Sequence, residues 1–305
     1  MEVSHIVNLV LNAFTSFSAI VFNSFTIHAL RKTSSLPASF KTLLLSLAVS
    51  DLIAGLLAQP LYIILIVIWP KQNTADHALT STILVIVCAL CTASLLSVIA
   101  LSMDRFLALH LHLRYKELVT HKRVVGAVIL IWILSVGISL VWIWKDIYKV
   151  FSLVAIVWSL CFVYMTIVNL RLSQAIKRHR NQIQADLRLQ QVAQAAKPRK
   201  SAVSALYVYL LVLVCYLPMY CSIILYVVRK GDSDSSLFYS RTVMFFNSSL
   251  NPIIYCWRIR PIRQTIMSIL GNIFSCNSAD ELVLKRSLQE RISTAGGIPT
   301  VGKST

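Results

Sequence analysis

Of the chain's 305 residues, 57% are hydrophobic and 13% charged, about half the charged share of an ordinary soluble domain. That balance excludes a soluble enzyme core and points to an integral membrane protein. A formal net charge of +17 would elsewhere suggest nucleic acid, but its distribution along the chain assigns it to one face of a membrane.

Runs of about 20 apolar residues, the helix length that crosses roughly 30 Å of hydrocarbon, fall at 6–30, 42–68, 79–109, 124–144, 150–172, 203–228 and 237–257. The expected fold is an all-α membrane protein, a bundle of seven transmembrane helices in residues 1–275 followed by a polar tail, 276–305. One acid and no basic residue precede the first run, a poor match to a cleaved signal peptide. That run carries Asn23, read either as part of a polar network or as interhelical glue.

The second run carries Asp51 directly after Leu47-Ala48-Val49-Ser50. A carboxylate at the bilayer centre costs about 2.5–3.5 kcal/mol on insertion scales, so Asp51 is expected inside the bundle with polar partners. The third run supplies Ser94 and ends in Asp104-Arg105-Phe106. Ser94 and Arg105 lie about three turns, roughly 16 Å, apart on nearly one face. The sixth run contains Cys215-Tyr216-Leu217-Pro218, and the seventh Asn247-Ser248-Ser249-Leu250-Asn251-Pro252 followed by Tyr255. Spacings of one and four residues keep Asn247, Ser248 and Asn251 near one helical face. With Asp51 and Ser94 they form an oxygen-rich cluster suited to a small hard cation such as sodium or to a proton on Asp51; polar glue between helices is the alternative. Pro252 has no N–H for the carbonyl of Ser248, and Pro218 none for that of Val214, so each releases an acceptor and weakens its helix. The two breaks fit a bundle that changes shape as well as they fit static kinks.

All but six of the 29 Lys and Arg residues, the exceptions being Lys71, Lys145, Lys149, Arg229, Lys230 and Arg241, fall on one side if the N-terminus is outside. The positive-inside rule then gives an outer N-terminus and a cytoplasmic C-terminus, with anionic lipid and acidic protein surfaces, not nucleic acid, as partners of the basic face. Of the seven cysteines, six lie within or at the ends of spans and Cys276 beyond the last one, so no disulfide framework is implied.

In order, Asn23, Leu47-Ala48-Val49-Ser50-Asp51, Asp104-Arg105-Phe106, Trp132, Cys215-Tyr216-Leu217-Pro218 and Asn251-Pro252-Ile253-Ile254-Tyr255 resemble the rhodopsin-like (class A) G-protein-coupled receptors over roughly residues 6–275. The resemblance implies a receptor of the plasma membrane with no catalytic residues, coupled to a heterotrimeric G protein. Asp51, Ser94, Asn247, Ser248 and Asn251 match the family's sodium pocket, with sodium as an allosteric ligand and no cofactor. Arg105, next to Asp104, matches the arginine that meets the G protein, with Tyr164 and Tyr255 as the tyrosines that swing toward it and Pro218 and Pro252 as the flexing points. Tyr216 stands where the family usually has a toggle tryptophan, and Phe106 where it has a tyrosine. Residues 258–270 resemble the short eighth helix on the membrane, Cys276 a palmitoylation site, and the tail's Ser and Thr residues targets of a receptor kinase that recruit arrestin.

Departures from the family pattern indicate a subgroup. Thr80 replaces the usual disulfide cysteine, the loop between the fourth and fifth spans is only about 145–149, and Ile156 replaces the fifth-span proline. Together these resemble melanocortin receptors and, more loosely, cannabinoid, lysophospholipid and adenosine receptors. Leu61, Thr80 and Leu84 stand where melanocortin receptors hold acids, Val87 at the aminergic aspartate, and Ile83 and Leu84 at the lysophospholipid charged pair. The pocket implied by position is lined by Val87, Cys88, Cys91, Tyr216, Tyr220, Ile223 and Phe245, which suits a small hydrophobic or lipid-like ligand. An ion-coupled secondary transporter is the rival class, because midplane carboxylates and broken helices mark it too; the seven spans show no inverted repeat. The basic 177–200 segment is expected to extend the fifth and sixth helices, the sixth beginning around 198–200, with no acid there to lock Arg105.

Overall fold

The computed structural model describes residues 3–68, 77–111, 114–144, 146–185, 189–230, 234–269 and 271. Nearly all of these residues are helical. The helices are α1 (Val3–Lys32), α2 (Ala38–Ile53), α3 (Gln59–Ile68), α4 (His77–Leu111), α5 (Tyr115–Leu118), α6 (His121–Ser139), α7 (Ile147–Ala185), α8 (Leu189–Val228) and α9 (Asp234–Arg258). A π-turn, Ala54–Ala58, joins α2 to α3, and a 3₁₀ turn, Leu140–Ile143, closes α6. The seven membrane spans are thus α1, α2 with α3, α4, α6, α7, α8 and α9.

Six of the spans are long and apolar enough to cross a membrane by composition alone. The seventh, α9, carries Asp234, Arg241, Asn247, Asn251 and Arg258 along its length, which lowers its apolarity without shortening it. Large apolar side chains such as Phe14, Phe17, Ile133, Leu160 and Val214 point outward, while Asn12, Asn23, Asp51, Gln59 and Asn247 are buried. Hydrocarbon solvates the former and excludes the latter, so the usual inside-out pattern of a soluble protein is reversed for polar groups.

Helix α4 is the centre of the bundle, packing on α2, α6, α7 and α8, while α1 closes the ring against α2 and α9. Its most apolar stretch is 67% buried, against 28% for α6, so residues of α4 reach every functional cluster described below. Close approach of α1 to the π-turn depends on Gly55. A Cβ there would meet the backbone oxygen of Ser16 at 3.0 Å and the Cβ of Ala19 at 3.1 Å, and the Ser16 hydroxyl donates to the Gly55 carbonyl at 2.8 Å. The π-turn has a local cause: Pro60 has no N–H for the Leu56 carbonyl, and the Gln59 N–H reaches back to Ala54 instead.

Helices outrun the apolar runs that mark them. The sixth helix was expected to begin around 198–200, ahead of its apolar run at 203–228, but α8 starts at Leu189, because Leu, Gln and Ala continue a helix past the membrane edge without needing hydrocarbon. Between α6 and α7 the connection is shorter than expected, α7 beginning at Ile147, where the Asp146 carboxylate accepts from the Lys149 N–H at 3.3 Å. Two compact units are distinguished, Met1–Arg263 and Gln264–Thr305. Residues 260–269 are helical after a break at Ile259, the stretch expected to form an eighth helix. Cys276 and the rest of 276–305 lie outside the described residues.

Candidate functional site

Asp51 is fully buried, and the expected polar cluster assembles around it. Its Oδ1 accepts from the Ser248 hydroxyl at 2.8 Å and the Ser94 hydroxyl at 3.3 Å, and its Oδ2 from Asn251 Nδ2 at 2.8 Å. Asn247 Nδ2 donates to Ser94 at 3.3 Å. Three spans therefore meet on one carboxylate. Asn247 Oδ1 and Asn251 Oδ1 are buried without hydrogen-bond partners. A carboxylate, two hydroxyls and two free amide oxygens form an all-oxygen donor set, which fits a small hard cation in chemistry.

The carbonyl that Pro252 releases does not join this set. Asn23 Nδ2 of α1 donates to Ser248 O at 2.9 Å, so Pro252 creates an acceptor that ties α1 to α9. A buried carbonyl takes the nearest free donor, and here that donor is Asn23, which brings α1 into contact with the polar stretch of α9. Trp132 of α6 donates through Nε1 to the Ser46 hydroxyl of α2 at 3.4 Å.

At the far end of α4, Asp104 and Arg105 are 4% and 3% exposed. Arg105 pairs with the Asp104 carboxylate, its Nε donating at 2.9 Å. The Phe40 ring of α2 lies 4.1 Å beneath the guanidinium. Tyr115 of the short α5 completes the arrangement: its hydroxyl donates to Asp104 Oδ1 at 2.6 Å, meets the Ser39 hydroxyl at 2.6 Å, and lies 3.4 Å from Arg105 Nη2. Burial, and then the Asp104 charge, push the Tyr115 phenol up to about 12, so it remains a donor. Sequence reasoning missed Tyr115, Ser39 and Phe40, for a lone tyrosine between spans carries no signal of its own.

The activation residues are not all brought together. Tyr255 is buried, with its hydroxyl unpartnered. Tyr164 is 46% exposed on the outer surface of α7, away from Arg105. Pro218 and Pro252 lie within α8 and α9.

Val87, Cys88, Cys91, Tyr216, Ile223 and Phe245 are buried. Tyr216 donates to the Cys91 carbonyl at 3.0 Å and packs on Trp158, ring centroids 5.7 Å apart. The Tyr220 hydroxyl meets Ser159 at 2.6 Å. Phe245 packs on Tyr62 at 5.6 Å. A cavity of about 270 Å³ lies elsewhere, between α6 and α7, lined by Gly137, Ile138, Val141, Trp144, Leu153 and Val157. It is apolar and includes none of the pocket residues expected from the sequence, so chemistry and not cavity size marks the site.

Residues 22–148 match the 7 transmembrane receptor (rhodopsin family). The chain is similar to the adenosine receptor A3 of Ovis aries, 26% identical over 300 residues, covering 87% of this chain and 89% of that one. It is similar to the histamine H2 receptor of Canis lupus familiaris, 26% over 282 residues, with 82% and 74% covered. A third relative is the melanocortin receptor 5 of Rattus norvegicus, 25% over 191 residues, with 60% and 58% covered. Together with seven spans, an Asp51-centred polar cluster and an Asp104-Arg105 pair at one end of the central helix, these matches support a G-protein-coupled receptor of the rhodopsin-like class. The chain is a multi-pass membrane protein of the G-protein-coupled receptor class, whose members are receptors and not enzymes.

Proposed function

We propose that the receptor lies in the plasma membrane with its N-terminus outside, and that it reports a small hydrophobic or lipid-like ligand to a G protein through Arg105. The observation that carries the coupling reading is the enclosure of Arg105 by Asp104, Tyr115 and Phe40. A buried guanidinium cannot meet a partner protein, so activation has to open this enclosure. The ligand acts from the other end of α4, among Val87, Cys91, Tyr216 and Phe245. An agonist that displaces the Tyr216 hydroxyl from Cys91 frees α8 from α4 next to Pro218, and it shifts the equilibrium by its differential affinity for the two states.

Sodium, held by Asp51, Ser94, Ser248, Asn247 and Asn251, supplies a positive charge that favours the closed packing of α2, α4 and α9. The orientation rests on the basic residues gathered on the Arg105 side of the bundle. Cys276 as a palmitoylation site, and the tail as a substrate for a receptor kinase and a dock for arrestin, follow from the family and from sequence alone.

The test is expression without added ligand, reading basal cyclic AMP and guanine-nucleotide exchange beside Arg105→Ala, with an N-terminal epitope stained on intact cells. A basal signal that the substitution abolishes at equal surface expression supports coupling through Arg105, and surface staining supports the orientation. A ligand screen in which only charged peptides act sinks the hydrophobic-ligand reading.

A further inference from the structure

Arg241 of α9 is a buried charge with no part in the clusters above. It is 7% exposed, and its guanidinium lies 5.3 Å from the centre of the Tyr62 ring. The ion pairs among the described residues are Arg105 with Asp104 and Lys149 with Asp146, so no described carboxylate meets Arg241. A ring face compensates only part of the cost of burying a guanidinium.

The groups around it are also rich in donors. Asn8 turns its Oδ1 to the Thr242 hydroxyl and to Asn12 Nδ2, the latter at 2.8 Å. Gln59 turns its Oε1 to the Thr15 hydroxyl at 3.2 Å. Both amides thereby leave their nitrogens, Asn8 Nδ2 and Gln59 Nε2, buried and without a partner, the residues being 2% and 0% exposed. Thr242 adjoins Arg241, and Gln59 lies one turn before Tyr62, so the three donors belong to one end of the α1, α3 and α9 interface. Asn12 Oδ1 is the unpartnered acceptor among them. Tyr62 donates its hydroxyl to the Phe238 carbonyl at 2.8 Å, and the same oxygen lies within reach of Arg241, Thr242 and Asn8, so the donors gather on one phenol.

This donor cluster borders the apolar set. Phe245 packs directly on Tyr62, whose ring the Arg241 guanidinium also approaches. A positive, donor-rich end next to the Tyr62 and Phe245 rings is complementary to a molecule with an anionic head and an apolar body.

We propose that Arg241, with the amides of Asn8 and Gln59, receives an oxyanion headgroup, and that the ligand is an acidic amphiphile whose apolar body lies against Tyr62 and Phe245. The proposal rests on the hydrophobic-ligand reading and adds a charge requirement to it. A guanidinium pairs with the two oxygens of a carboxylate or of a phosphate in the same forked geometry, so either head satisfies the site.

The experiment is thermal unfolding of the purified full-length receptor with three homologous series of straight-chain probes, from about eight to eighteen carbons: carboxylates, monoalkyl phosphates and primary alcohols. At least one acid is expected to raise the Tm at concentrations where the alcohol of equal length does not, and the better acid series identifies the head. Arg241→Gln should weaken that acid roughly 10- to 100-fold, the range of a charge-assisted hydrogen bond, and Arg241→Lys should retain part of the affinity. No carboxylate among the described residues compensates the charge, so Arg241→Gln should melt within a few degrees of wild type without probe, and its loss of binding is then not loss of fold. Alcohols as effective as acids would overturn the headgroup assignment and leave the hydrophobic-ligand reading standing. No response to any of the three series would overturn both. Equal acid affinity in wild type and Arg241→Gln removes Arg241 from the site.

Discussion

Asn23 Nδ2 donates at 2.9 Å to the carbonyl of Ser248, the acceptor that Pro252 leaves free four residues later. The asparagine of the first span and the proline of the last are therefore halves of one contact. Asn23→Ala should cost about 0.5–2 kcal/mol, the range of interhelical hydrogen bonds in membranes. In a Pro252→Ala background the Ser248 carbonyl regains a backbone N–H, and the same substitution should cost less. A double-mutant cycle on thermal unfolding measures the difference; equal costs in both backgrounds would show that the two residues act independently.

Asp51→Asn removes the charge of the all-oxygen cluster and leaves its size unchanged. In wild type, replacing potassium by sodium at constant ionic strength should lower basal nucleotide exchange; in Asp51→Asn the two salts should give the same rate. The isosteric amide also brings an NH2 among donors that the carboxylate now accepts from Ser94, Ser248 and Asn251. A moderate fall in Tm, about 1–3 kcal/mol in equivalent stability, is expected alongside. A sodium effect of wild-type size in the mutant would exclude Asp51 as the cation's anchor.

The seven spans and the Asp51 cluster were legible because hydrocarbon makes polar residues rare: Asp51, Asn247 and Asn251 stand out against the apolar residues around them. The Arg105 enclosure was half legible. Asp104 and Arg105 are adjacent in sequence, whereas Tyr115 and Phe40 reach them from other segments whose composition is unremarkable. Arg241 entered the sequence reading only as one of six basic residues on the outer side, since charge near the end of a span normally faces water. Only packing shows that it faces Tyr62 instead. Tyr164 illustrates the opposite case, a residue matched by position that the fold leaves on the outer surface of α7.

Gly55 lets α1 approach the π-turn. In Gly55→Ala the new methyl meets the backbone oxygen of Ser16 at 3.0 Å and the Cβ of Ala19 at 3.1 Å, neither of which is the end of a flexible side chain. Overpacking of this kind costs about 1–3 kcal/mol. Reduced surface expression and a lower Tm should result, without loss of the sodium response in the fraction that folds. Unchanged stability would mean that α1 shifts freely against α2, contrary to the 2.8 Å bond from Ser16 to the Gly55 carbonyl.

Tyr216 ties α8 to α4 through its bond to the Cys91 carbonyl at 3.0 Å. Tyr216→Phe keeps the ring against Trp158 and deletes the tie. A net hydrogen bond of about 1 kcal/mol corresponds to roughly a fivefold change in a two-state equilibrium. Basal nucleotide exchange should therefore rise severalfold at equal surface expression. A fall would assign the hydroxyl to the open state instead.

Tyr115 holds Asp104 and Ser39 together beside Arg105. Tyr115→Phe keeps the ring, loses both hydroxyl contacts, and should raise basal exchange by weakening the enclosure; Tyr115→Phe with Arg105→Ala should be as silent as Arg105→Ala alone. The pH dependence has a definite sign. The phenol is raised from its ordinary 10 to about 12 by burial first and the Asp104 charge second, so between those values the folded protein keeps a proton that the unfolded chain releases. The stabilisation is full below pH 10 and declines as pH rises from there toward 12. The wild-type advantage in Tm over Tyr115→Phe should thus be constant from pH 6 to 9 and shrink above 10. An advantage that already declines between pH 6 and 8 would mean that a group other than the phenol controls the enclosure.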